Sequence, residues 1–330
     1  MERIILIETS TALCSVALAE DGTIVDYRES SAPKAHASLT AVFIQDMLAE
    51  RGLSPADCDA VCVSMGPGSY TGLRVGVSTA KGICFGARKP LLAVGTLDTL
   101  VAQAVDEIAG QAGNDGKDGK DGCTSVVIPG LTGNPRFIIP MVDARRMEVY
   151  TAVFGIAVQQ GEIATDSANP RNDKQAGNDG QQGEIATDSA NPRNDKQAGN
   201  DGQQGEIATD SANPRNDKQD TPDVIARSEA TWQSPRYIQL TETAPMIIDE
   251  NSFAEYLEQG PCLFIGDGAG KCADVIRHPN ASFCQCNPKA SSMLSPALAA
   301  YKEKRFEDVA YFEPFYLKEF VATVSKKKLF

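Results

Sequence analysis

The sequence predicts an α/β fold made of two small halves of similar order. Three observations carry that expectation. The first hundred residues open with apolar strands in hairpins and continue as helix, strand, helix. Residues 61–81 read as a short apolar strand, a tight turn and a helix. After a long polar interval, the same alternation resumes near Pro235.

Taken in order, residues 3–8 form a near-continuous apolar strand and 13–20 a second, and Asp21-Gly22 turns the chain into a third strand around 23–29. A helix of about 36–51 follows Pro33, another covers about 72–87, and a strand near 91–94 leads to a helix near 96–108. The first three strands should be antiparallel and the later ones parallel. Leu39, Val42, Phe43, Ile44, Met47 and Leu48 spread over more of the first helix than one core-facing stripe requires. Leu73, Val75, Val77, Ile83 and Phe85 do the same on the second. Either other elements of the same domain or a partner surface covers the outer faces. Residues 137–142 and 147–154 read as a strand pair around Asp143-Ala144-Arg145-Arg146. Beyond Pro235 come strand-like pieces at 236–241 and 245–248, a helix over about 250–259, the strand 262–265, the turn Gly266-Asp267-Gly268-Ala269-Gly270 and a helix over about 291–305.

Two stretches fall outside this pattern. Residues 111–122 are polar and Gly-rich, as a flexible loop would be. Residues 159–180 recur without a change at 181–202 and, truncated, at 203–219, inside a low-complexity insertion of 157–234. Each copy holds one Ile and a few Ala, too little apolar surface to offset chain entropy, so the repeats are expected to be disordered. They carry 11 acidic and 6 basic residues, so much of the net charge of −13 has no bearing on chemistry. The domains expected are therefore 1–108 and 123–330, the second interrupted by 157–234.

Composition narrows the function classes. The 42% hydrophobic content supports real cores, and no run of about 18 apolar residues suggests a membrane span. Met1-Glu2-Arg3 leads straight into a strand with no cleavable signal, which predicts a soluble, cytoplasmic protein. Nine cysteines in apolar contexts read as reduced core thiols, and Cys284-x-Cys286 near His278 makes a poor zinc signature. The acidic balance argues against a broad nucleic-acid surface, and Lys326-Lys327-Lys328 reads as a solvated tail.

The strand-turn-helix stretch centres on Gly66-Pro67-Gly68, with Ser69 or Thr71 as the helix N-cap. A dinucleotide fingerprint would need Gly at 71, which is Thr, and no Walker frame fits. The glycines are therefore assigned to turn geometry and helix packing in preference to a phosphate. Where a phosphotransferase of duplicated α/β halves would carry an Asp-x-Gly turn, the chain reads Glu8-Thr9-Ser10. Glu8, Ser10, Gly266 and Gly268 mark at most a vestigial nucleotide site, and Asp143 and Asp267 read as turn or cap residues. With His36 and His278 alone there is no paired-histidine metal site, and Gly-x-Ser-x-Gly is absent. No catalytic residue, metal or cofactor is assigned.

Residues 4–18, then Gly66-Pro-Gly-Ser-Tyr-Thr-Gly-Leu-Arg-Val-Gly76 with Ala80-Lys-Gly82, then Val142-Asp-Ala-Arg-Arg-Met-Glu-Val-Tyr150 resemble the bacterial TsaB (YeaZ) family. Gly266-Asp-Gly-Ala269 and Pro314-Phe-Tyr-Leu317 agree with it. The resemblance covers about 1–155 and, more weakly, 236–320. It implies a two-lobed actin/hexokinase/Hsp70-like (ASKHA, ribonuclease H-like) fold. It also implies a non-catalytic part in making threonylcarbamoyladenosine beside the tRNA anticodon. In that family the catalytic paralogue TsaD docks on the two N-lobe helices, here 36–51 and 72–87, and a TsaE ATPase joins them. Leu39, Val42, Phe43, Met47, Leu73, Val77 and Ala80 are then the expected partner contacts, and tRNA is met indirectly through the complex. A homodimer through the same helices, and a degenerate phosphotransferase or glycoprotease-like enzyme, are the other readings.

Overall fold

The computed structural model describes residues 2–112, 135–156 and 237–317, with the side chains of 109–112 left aside. These residues belong to one compact unit. The repeat insertion, most of the Gly-rich loop and the terminal lysines lie outside the described residues.

Five strands make the first sheet: β1 (Arg3–Glu8), β2 (Cys14–Glu20), β3 (Thr23–Ser30), β4 (Ala60–Gly66) and β5 (Leu91–Gly95), in the order β3-β2-β1-β4-β5. β1 is antiparallel to β2 and parallel to β4, as the hairpin and crossover pattern requires. The second sheet repeats the plan. With β6 (Phe137–Asp143), β7 (Glu148–Thr151), β8 (Phe154–Ile156), β9 (Tyr237–Gln239), β10 (Ala244–Ile247), β11 (Cys262–Gly266) and β12 (Ala281–Gln285), its order is β10-β7-β6-β11-β12. β7 and β8 pair with β6 in a single register, Met141 facing Thr151 and Ile138 facing Phe154. The ladder lapses between them, where Pro140 has no N–H to give.

The helices are α1 (Ala35–Ala49), α2 (Tyr70–Ala87), α3 (Thr96–Ala112), α4 (Ala254–Gln259), α5 (Ala269–Ala273) and α6 (Leu294–Lys302). α1 and α2 bury Ile44, Met47, Leu48, Val77 and Cys84 against Ile5, Ile7, Val16 and Val63 on one face of the first sheet. The opposite face, with Ile4, Leu6, Cys62 and Leu92, is covered by Met293, Ala297 and Ala300 from α6 and the 3₁₀ turn Ala290–Met293 before it. α3 in turn leaves the first sheet and packs Leu100, Val101 and Ala104 on Ile138, Val142, Leu263 and Ile265 of the second. Phe253, Leu257, Cys272 and Ile276, from α4, α5 and their flanks, cover its far side. Each half thus lends one helix to the other half's sheet. Central strands covered on both faces read as continuous apolar runs, which is why β1, β4 and β11 show no alternation.

This is the two-lobed α/β architecture expected of the actin/hexokinase/Hsp70-like class. Several expectations need adjustment. α3 runs on to Ala112, into the stretch read as loop. α4 begins only at Ala254, after a left-handed Phe253. The helix placed at 291–305 is a 3₁₀ turn followed by α6, which stops at Lys302. α5 and β12 were not anticipated: Gly268 and Gly270 masked a single helical turn, and Ala-Ser-Phe-Cys-Gln is short and half polar. Eight cysteines are free thiols among the described residues, seven of them buried.

Candidate functional site

Two places on this scaffold were singled out by sequence: the turn after β1 with its counterpart after β11, and the outer faces of α1 and α2.

At the first, the α2 N-terminus is bolted to the β1–β2 turn. Ser69 caps the helix, its Oγ accepting from the Gly72 N–H at 3.3 Å, while its own N–H donates to the Ser10 carbonyl at 2.6 Å. A Cβ at Gly68 would lie 2.3 Å from the Ser10 carbonyl oxygen, and one at Gly72 2.1 Å from that of Thr9. At Gly76 it would lie 2.2 Å from Thr9 Oγ1, which donates to the Gly72 carbonyl. The glycine spacing therefore lets a helix lie directly on a turn, and the Ser69 N–H that a phosphate would use is taken.

Glu8 lies at the heart of this joint and is fully buried. Its Oε1 accepts from the Ser10 N–H at 2.7 Å, while Oε2, Ser10 Oγ and Thr11 Oγ1 are buried with no hydrogen-bond partner among the described residues. Burial pushes the carboxyl up to about 7 against the Ser10 N–H hydrogen bond, which favours the anion. The group is therefore about half protonated at neutral pH and largely a neutral acid below it, unlike a metal-binding aspartate.

The counterpart in the second lobe is equally occupied. Gly266 sits at φ +134°, and a Cβ there would lie 2.2 Å from the Met141 carbonyl oxygen. At Gly268 a Cβ would come within 2.9 Å of Val149. Asp267 Oδ1 accepts from the Asp143 N–H at 2.8 Å, and burial pushes its carboxyl up to about 6. Asp143 accepts from the Arg145 N–H at 2.7 Å and pairs with Lys271, whose Nζ also donates to the carbonyls of Arg146 and Glu148. Both aspartates thus act in turns. Glu8 and Ser10 stand on one sheet's turn and Gly266 and Gly268 on the other's, each held by its own backbone. Among the described residues no group of three or more His, Cys, Asp or Glu could hold a metal ion.

The helix faces divide the seven expected contacts. Met47, Leu73 and Ala80 are fully buried and Val77 is 4% exposed. They belong to the first lobe's own core, because they recur at the helical spacing that faces the sheet, and they cannot serve as outward contacts. Leu39 and Phe43 are half-buried and Val42 is exposed. The expected contacts leave out Phe85, which the sequence places in the apolar spread of α2 and which is 82% exposed, the most exposed large apolar side chain of the two helices. It falls on the side of α2 away from Leu73, Val77, Ala80 and Cys84, in a row with Thr71, Val75, Ser78 and Gly82. That offset was available in the sequence. A Cβ at Gly82 or Gly86 would meet nothing within 4 Å, so no contact within the described residues requires glycine there. The segment after α6 borders this face: Lys81 Nζ donates to the carbonyls of Ala310 and Phe312 at 3.0 Å, and Tyr316 packs against Tyr70 with ring centroids 4.8 Å apart.

A family model described as TsaD, tRNA N6-adenosine threonylcarbamoyltransferase, matches residues 29–112, which hold α1, α2 and α3. The chain is 40% identical over 102 residues to the tRNA threonylcarbamoyladenosine biosynthesis protein TsaB of Escherichia coli, covering 31% of this chain and 44% of that protein. It is 38% identical over 105 residues to TsaB of Haemophilus influenzae, covering 32% and 44%. The chain thus matches a little under half the length of these relatives. The solved YeaZ from Pseudomonas aeruginosa superposes with a TM-score of 0.58 at 19% identity, covering 96% of this chain and 100% of that one, which establishes the shared fold.

Proposed function

We propose, from the similarity of part of this chain to TsaB of Escherichia coli and of Haemophilus influenzae, that it is a non-catalytic partner subunit in the formation of threonylcarbamoyladenosine in tRNA. Its outer α1–α2 face docks a TsaD-like paralogue that carries the catalytic groups. A TsaE-like ATPase joins the assembly in the cytoplasm, and tRNA is engaged through the complex.

The observation that carries this reading is the outward row of α2. An exposed Phe85 stands beside Gly82 and Gly86, where an added Cβ would meet nothing within 4 Å among the described residues. Glycine in a helix interior costs about 1 kcal/mol relative to Ala, so two without an internal reason are explained by a second backbone approaching there. Exposed Val42 and half-buried Leu39 and Phe43 on α1 supply apolar surface beside them. The glycines filled by the β1–β2 turn, and the burial of Glu8 with its raised pKa, support the absence of nucleotide chemistry in this subunit.

The test is co-purification with the TsaD-like protein of the same cell, with tRNA modification as a second readout. Phe85→Glu and Val42→Glu, both at exposed positions, should abolish the complex while the isolated chain keeps its melting temperature. Val77→Glu is not a usable probe, because burying that charge would unfold the lobe. Retained binding by the Phe85→Glu, Val42→Glu double variant would remove this reading. Sedimentation with and without the paralogue separates heterodimer from homodimer. Saturable nucleotide binding by the isolated chain, lost on changing Gly266 or Gly268, would instead favour a degenerate phosphotransferase.

A further inference from the structure

The second lobe carries a cleft remote from the α1–α2 face, between β10 and the start of α4, with a volume of about 360 Å³. That is near the lower end for small-molecule sites, about 300–1,000 Å³. Its floor is β7 and the residues that follow it. Val149, Thr151 and Val153 alternate onto one face of this strand, and both valines belong to the apolar core beneath α4. Thr151 interrupts that row with a hydroxyl. It is 3% exposed, and its Oγ1 has no hydrogen-bond partner among the described residues, a costly arrangement unless something else supplies one.

The walls are apolar and aromatic, from Met246, Phe253 and Tyr256, and the rim carries the carboxylates of Glu242 and Glu255. Among the described residues no Lys, Arg or His lines the cleft. The α4 N-terminus does not offset this negative rim. The Ala254 N–H is bound to the Asn251 carbonyl, and those of Tyr256 and Leu257 to the Phe253 carbonyl, so the first turn presents no free nest for an anion. The Thr241 hydroxyl is likewise engaged, accepting from the Val153 N–H at 2.9 Å.

We infer that this cleft binds a small organic cation, an amine on a compact apolar or aromatic body. The body lies against Met246 and the two rings, the ammonium group faces Glu242 and Glu255, and a polar atom of the ligand satisfies Thr151. An anion of the same shape is rejected by the rim charge.

Phenethylamine is a suitable probe and phenylacetate its anionic counterpart, followed by ligand-observed NMR on the full chain. Phenethylamine should show saturable contact with the protein and phenylacetate none. The Glu242→Gln, Glu255→Gln double variant should bind phenethylamine about tenfold more weakly. Ala254→Trp, at an exposed position that fills the cleft, should abolish contact without changing the melting temperature. Thr151→Val, which keeps the shape and removes the hydroxyl, should weaken binding severalfold. Equal contact by phenylacetate, no contact by phenethylamine at millimolar concentration, or binding that survives Ala254→Trp overturns the inference. Unchanged affinity in Thr151→Val also overturns it, since the hydroxyl would then serve a water molecule alone.

Discussion

At the residue scale, Glu8 shows how a position suited to catalysis by location can be spent on structure. A carboxylate after the first strand of an actin-like lobe would need solvent or a cation to stay ionised. Here burial outweighs the Ser10 N–H hydrogen bond and pushes the group up to about 7. A pKa raised on folding means that the folded state holds the proton more tightly than the unfolded chain. Glu8 therefore favours the fold fully below about pH 4.5, and this advantage disappears as pH rises through about 7. Glu8→Gln, which keeps the neutral shape, should remove that loss. Its unfolding free energy should exceed the wild type's at pH 8 by an amount on the order of 3 kcal/mol, with the two converging near pH 4.5. Asp267 and Glu107, also raised by burial, titrate in the same window, so the difference between variant and wild type is the informative quantity. Parallel melting curves from pH 5 to 8 would show that Glu8 is ionised in the fold.

At the scale of elements, α2 carries two classes of glycine that look alike in sequence. Gly72 and Gly76 lie against the β1–β2 turn, whereas a Cβ at Gly82 or Gly86 would meet nothing within 4 Å among the described residues. Gly72→Ala puts a methyl group 2.1 Å from the Thr9 carbonyl oxygen and should destabilise the chain by about 2–3 kcal/mol in urea unfolding. Gly82→Ala should do the opposite, stabilising the isolated chain by up to about 1 kcal/mol through helix propensity while weakening the proposed complex. Loss of stability in Gly82→Ala would mean that a neighbour already occupies that space. The sequence displayed α2 itself, its packing glycines and a cap at Ser69 or Thr71, of which the structure uses Ser69, because strand, turn and helix follow from local residue types. It also displayed the antiparallel-then-parallel order of the first sheet. It did not display which apolar side chains on α1 and α2 face outward. Met47 and Val42 are equally apolar in sequence, and only the sheet beneath Met47 separates them. α5 and β12 stayed hidden because a single helical turn and a five-residue strand carry too few residues for a period.

At the scale of the molecule, the exchange of α3 and α6 between sheets makes the halves interdependent, so a change that disturbs one lobe should register in the other. The long insertion enters the chain between β8 and β9. Ile156 and Tyr237 face each other as the last pair of the antiparallel β8–β9 ladder, so the 80 residues between them replace what would otherwise be a hairpin turn. Loop closure entropy grows only with the logarithm of length, at about 0.6 kcal/mol per doubling. Exchanging 157–236 for a five-residue Gly-containing turn shortens the loop by four halvings and should stabilise the fold by about 2 kcal/mol. The shortened chain should keep the circular dichroism spectrum of the parent and, on the proposed reading, its affinity for the TsaD-like paralogue, since neither α1 nor α2 borders this hairpin. A gain in urea midpoint together with unchanged complex formation would place the insertion outside both folding and docking. A shortened chain that folds as well but no longer binds would assign the repeats a part in partner recognition.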